Sequence, residues 1–169
     1  MLMKSKEMID VICESVIGTI EEDRFQGKSI EYVEIDWHNA FHRIHKKVTK
    51  EGTEVGIRLE HDVLVKGLRT GDVLYVDESK VIVVHIPPCD VIVATVEHHH
   101  DHMIAKLCYE VGNRHSSLFW GEDDHTFIIP FNEPMFTMLG KLHGVQVKVE
   151  SLALDFNKAI SSTINAHTH

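Results

Sequence analysis

The sequence is short of several features, and each shortage excludes something. Cysteine is scarce: Cys13, Cys89 and Cys108 are odd in number and lack CxxC spacing. Neither a disulfide frame nor a thiolate zinc knot is expected, and reduced thiols are the default. No apolar run approaches the roughly 18 residues that span a bilayer. The opening stretch carries Glu7, Asp10 and Glu14 where a signal peptide needs an uninterrupted apolar core. A cytoplasmic protein away from membranes is the expectation. Positive charge is also in deficit, with 17 Lys+Arg against 26 Asp+Glu for a net charge of −9. The deficit is even, −5 up to Val93 and −4 beyond it, so neither half offers the basic footprint that nucleic acid or an anionic membrane needs. HExxH, GxSxG and a Gly-rich phosphate loop are all missing, which leaves catalytic readings thin.

What is present is a globular composition, 43% hydrophobic and 25% charged over 169 residues, enough for one long domain or two small ones. Histidine stands out at 14 residues, four of them packed into His98-His99-His100-Asp101-His102. Imidazole is the common nitrogen ligand for zinc, copper and nickel, so the composition leans toward metal handling.

The two halves have different grammar. Up to about residue 86 the chain reads as short strands and turns. Glu31–Asp36 alternates, Lys46–Thr49 and Thr53–Leu59 flank a Lys50-Glu51-Gly52 hairpin loop, and Val73–Val76 turns through Asp77–Ser79 into Lys80–Ile86. Pro87-Pro88 breaks the ladder and marks a boundary. Beyond it the pattern is βαββαβ. Val91–Val96 is apolar throughout; Ile104, Leu107, Cys108 and Val111 form a helical stripe closed by Gly112-Asn113; strands follow around His115–Trp120 and Thr126–Pro130. A second helix carries Met135, Met138, Leu139 and Leu142, with Asn132 as cap, Pro134 in the first turn and Gly144 at its end, and Val145–Val149 alternates as an edge strand. The fold class is α+β: a β-rich N-terminal domain (1–86), a ferredoxin-like βαββαβ C-terminal domain (89–151) and a flexible His-containing tail (152–169). An apolar central strand implies cover on both faces, most simply from a partner subunit in a homodimer.

Four histidine groups compete for a metal. His115, at a helix-to-strand turn, reads locally as a surface or capping residue, but near a two-fold axis it becomes one of two facing imidazoles with other positions open. His167 and His169, separated by one residue, would point the same way in an extended tail. His98 and His102 share a helical face if the helix begins near Glu97, though its positive N-terminus disfavours a cation and His100 would fall on the buried stripe; a secondary or adventitious site is the reading. His38, His42 and His45 lie among strand and turn residues, with Trp37, Phe41 and Ile44 as packing positions, and read as structural or surface. His61, His85, His125 and His143 are isolated, with His125 exposed enough to watch.

At Ala105–His115, AKLCYEVGNRH, the chain resembles the urease accessory nickel chaperones of the UreE family, carried by Cys108-Tyr109 and Gly112-Asn113-Arg114-His115. Gly52–Leu59, Leu68–Leu74, Pro130–Leu142 and Val145–Val149 extend the resemblance, from about Met8 to Ser151. The resemblance implies a peptide-binding-like β domain, a dimerising ferredoxin-like domain, and a Ni²⁺ site at the homodimer interface built on His115 and extended by His167 and His169. It also implies partners: the urease apoprotein and other accessory proteins, a GTPase among them. The expected protein is a non-enzymatic nickel metallochaperone, with Zn²⁺ or Cu²⁺ able to substitute, since affinity alone does not select nickel. The rivals are a metal-dependent hydrolase and a metal-responsive regulator using the same histidines. The first lacks a visible general base, the second a basic surface.

Overall fold

A computed structural model describes residues 9–160, and the chain divides into two compact units between Pro87 and Pro88. The architecture is α+β and mostly β.

The first unit holds two small sheets. In one, β1 (Val11–Cys13) runs parallel to the central β5 (Glu54–Arg58), and β4 (Ile44–Val48) pairs antiparallel on its other side. The β4–β5 turn is the three-residue loop the sequence signals: the Thr49 N–H donates to the Thr53 carbonyl at 3.0 Å and Gly52 takes a φ of +93°. The other sheet runs β2 (Gly18–Thr19), β6 (Asp72–Val76), β7 (Lys80–His85), β3 (Ser29–Glu34), with β3 and β7 parallel. Phe25, Val73, Val81 and Val83 form a core against it. The strands β1 and β2 and a single helical turn, α1 (Val63–Lys66), carry no periodic signal and were not expected. A buried polar network joins the two sheets: Lys80 Nζ donates to Glu31 Oε1 at 2.8 Å and to Thr53 Oγ1 at 3.0 Å, while the Thr49 hydroxyl donates to Glu31 Oε2 at 2.8 Å. Burial alone would raise the Glu31 pKa, but these donors outweigh it and hold the carboxyl below its usual range.

The second unit runs β8 (Cys89–Val96), α2 (His102–Asn113), β9 (Phe119–Trp120), β10 (Thr126–Pro130), α3 (Glu133–Leu139), β11 (Val145–Leu152). Its sheet is ordered β11-β8-β10-β9 and antiparallel throughout, so the first and third strands are central. Ile92, Ala94 and Val96 meet Met103, Leu107 and Val111 of α2 and Met135 and Leu139 of α3 in the core. The buried stripe of α2 is therefore centred on Met103-Leu107-Val111, with Ile104 and Cys108 half-buried at its margin.

Several boundaries differ from the pattern reading. The strand before the hairpin is only Phe119–Trp120, because His115–Leu118 are taken up in leaving α2. Asn132 caps α3 by accepting from the Met135 N–H at 2.8 Å, but the helix stops at Leu139 with Gly140 as its last cap; Gly144 lies in the next turn with a φ of +72°. Val91 and Val93 are both buried within one chain, so their burial does not by itself require a partner. Nor does Leu152 begin a tail. It closes β11, Phe156 is buried in the short 3₁₀ turn Phe156–Lys158, and Ala159 bridges to Phe119 at the far sheet edge. Ile44, read as a packing residue, is 74% exposed.

Candidate metal centre

The last turn of α2 shapes the first candidate. Arg114 caps the helix, and its side chain folds back on Glu110, donating to that residue's carbonyl at 3.0 Å and pairing with its carboxylate. The next residue, His115, has a φ of +54°. Its N–H donates to the Gly112 carbonyl at 2.9 Å, and the Ser116 N–H reaches back to the Val111 carbonyl at 3.2 Å. Those two bonds satisfy helix-terminal acceptors in the pattern usually closed by a left-handed glycine. Here the left-handed position is the histidine itself. The expectation that Gly112-Asn113 would supply it is corrected: both stay helical, and nothing lies within 4 Å of where a side chain on Gly112 would begin. A β-carbon in this conformation costs roughly 1–2 kcal/mol. Strained positions of this kind cluster at functional sites, and His115 is exposed at the end of α2.

The other expected ligands, His167 and His169, lie outside the described residues. Among the described residues no group of three or more His, Cys, Asp or Glu side chains is arranged to hold a metal ion. Burial pushes the Cys13 thiol up to about 11 and also raises those of Cys89 and Cys108, so all three are protonated near neutral pH.

A second set of imidazoles gathers at the other end of the same unit. α2 begins only at His102, so His98 and His102 do not share a helical turn; residues 97–101 form an irregular loop in which His99 has a φ of +77°. His100 Nε2 faces His143 Nε2 at 3.2 Å, with ring centroids 4.8 Å apart. Beside them His125 Nε2 meets Asp101 Oδ1 at 3.0 Å, and the His98 and His125 rings are 4.8 Å apart. His143 and His125 had no local signal. One was available in the topology: β8 pairs antiparallel with β11, Val96 opposite Val145, which sets the residues after β8 beside those before β11.

The histidines of the first unit stand apart from this chemistry. His45 is buried in β4, its Nε2 bonded to the His42 carbonyl at 2.9 Å. The His42 ring lies 6.4 Å from it because residue 42 precedes the strand, between a turn at Phe41 and a bend at Arg43, where strand alternation would have turned the two rings apart. The unit also has a cavity of about 610 Å³ lined by Glu14, Val16, Leu59, Val63, Arg69 and Asp72 among others, with no histidine or cysteine in its wall.

Fold and surface together define a two-unit α+β protein whose distinctive chemistry is exposed imidazole nitrogen. Known proteins it is similar to give its family. The domain family described as "UreE urease accessory protein, N-terminal domain" matches residues 13–87. The urease accessory protein UreE of one Helicobacter pylori strain is 34% identical over 151 residues, covering 89% of this chain and 86% of the relative. That of a second strain is 36% identical over 145 residues, covering 86% and 83%. The UreE of Flavobacterium johnsoniae is 32% identical over 161 residues, covering 94% and 91%. The chain belongs to the UreE family of urease accessory proteins.

Proposed function

We propose that this protein is a nickel metallochaperone, active as a homodimer, that delivers Ni²⁺ for assembly of the urease active site without catalytic turnover of its own. The observation that carries the reading is His115, exposed and held left-handed at the end of α2 in a chain whose relatives are named urease accessory proteins. A single surface imidazole per chain is half of a site. Two, brought together across a two-fold axis, leave the remaining coordination positions open, so that a recipient's ligands can enter before the donor's leave. His167 and His169 would complete or extend that set. Nitrogen donors suit nickel, zinc and copper alike, so Zn²⁺ or Cu²⁺ would occupy the same site. The ion is cargo, passed on through complexes with the urease apoprotein and other accessory proteins, a GTPase among them, in the cytoplasm. The cavity of the first unit, mixed apolar and charged, is a place where a partner's peptide could dock.

The test is calorimetric titration of Ni²⁺ into the metal-free full chain, with mass by light scattering, for wild type and His115→Ala. The expected result is one tightest site per two chains in the wild type and its loss in the variant. Survival of that site, the tightest one at one ion per two chains, in the variant would refute the assignment of His115; sites of other stoichiometry do not bear on it.

A further inference from the structure

The imidazoles opposite His115 form a more complete arrangement than an adventitious cluster would. His100 and His143 come from different loops, the first after β8 and the second before β11, and the backbone clamps those loops together: the Glu97 N–H donates to the Gly144 carbonyl at 2.8 Å. Gly144 also makes room for the ring. A β-carbon there would lie 2.5 Å from Cγ of His100, and the φ of +72° already favours glycine. The two Nε2 atoms are 3.2 Å apart. Nitrogen ligands bind zinc-like ions at about 2.0–2.1 Å, so that separation subtends roughly 100° at a shared ion, between the octahedral and tetrahedral values.

The other face of the His100 ring fits as well. Its Nδ1 is buried without a hydrogen-bond partner, and the Glu97 carboxylate stands 3.9 Å away, itself held by Gln146 at 2.9 Å. A metal on Nε2 fixes the proton on Nδ1 and aims it at a carboxylate, the usual outer partner of a ligating histidine. Glu97 and Asp101 supply negative charge against the positive end of α2. We propose that His100 and His143 form a second metal site, with two imidazole ligands and open positions for solvent, for a divalent transition ion that prefers nitrogen. Its place is distinct from that of His115: α2 has 12 residues, about 18 Å of helix, between the loop bearing His100 and the turn bearing His115. The site does not depend on the role assigned to His115.

The experiment uses the full, metal-free chain carrying His115→Ala as its baseline and titrates Ni²⁺ by calorimetry. The baseline should retain a site of one ion per chain. Adding His143→Ala or His100→Ala should weaken that site at least tenfold. Adding Gly144→Ala, which keeps both imidazoles but displaces the His100 ring, should weaken it too. His143 is exposed, so its removal leaves the fold intact, and an unchanged melting temperature of the metal-free variant checks this. Isotherms unchanged by both histidine substitutions, or a baseline with no site, would overturn the proposal. The reading of His115 is judged separately, by wild type against the baseline.

Discussion

Replacing His115 by glycine should make the metal-free protein more stable while removing its proposed nickel ligand. His115 occupies the left-handed position that closes α2, with a φ of +54°. Relieving a β-carbon there is worth about 1–2 kcal/mol. Glycine returns roughly 0.5–1 kcal/mol of that through the extra entropy of its unfolded chain. The net gain is then about 0–1.5 kcal/mol, which for a unit of this size moves the melting temperature up by as much as roughly 12 °C. His115→Ala is the control. It removes the imidazole but keeps the β-carbon, so it measures the side chain's own contacts apart from the backbone strain that only glycine relieves. The assay is differential scanning calorimetry of chelator-treated full-length protein, since bound metal would add its own stabilisation to the wild type alone. A His115→Gly protein that melts below the wild-type temperature would refute the reasoning. In that case the imidazole's own contacts outweigh the strain, and the residue is explained by packing rather than by aim.

The remaining predictions concern the same helix and the buried histidine of the first unit. Gly112 is helical and faces open space, so Gly112→Ala should stabilise the protein by up to about 1 kcal/mol in thermal unfolding; a loss of stability would mean that the left-handed residue is Gly112 after all. Burial of His45 disfavours its charged form and lowers its pKa, despite the bond to the His42 carbonyl and with the nearby Lys47 adding to the effect. Below about pH 6.5 the unfolded state then binds more protons than the folded one, so stability is full above that pH and falls as pH drops toward the folded-state pKa. Urea midpoints at pH 7.5 and 5.5 should differ less in His45→Gln than in wild type, and equal differences would rule His45 out as the cause.

How far the sequence could be read depended on whether a feature was local. The Thr49–Thr53 turn and the Asn132 cap are written in a few adjacent residues, because backbone donors that lack a partner select particular neighbours. The order of the second sheet followed from which strands are apolar on both faces, a property of single strands. Strands β1 and β2, of three and two residues, are too short to show a period and exist only because a longer partner pairs with them. Residues 153–160 read as tail in the sequence, yet Phe156 is buried and Ala159 bridges to Phe119.

The histidines divide along the same line. His115 was visible as a residue at a helix end, but not as the residue that bears the positive φ, since Gly112 offered the turn a cheaper solution that the chain does not take. The reason lies in register. A left-handed turn at residue 112 would end α2 before it, and Val111 would lose its place on a helix whose core contacts are spaced Met103, Leu107, Val111. Keeping Val111 inside the last turn moves the reversal three residues on, to where the imidazole stands. The His100–His143 pair illustrates the opposite limit. Forty-three residues separate its members, and no spacing rule connects them; only the antiparallel register of β8 against β11, with Val96 opposite Val145, brings the two loops together. Cluster density drew attention to His98–His102, but the partner that makes a chelating pair is one of the isolated histidines. In a split sheet, then, a ligand search that follows strand pairing will find pairs that one following sequence spacing passes over.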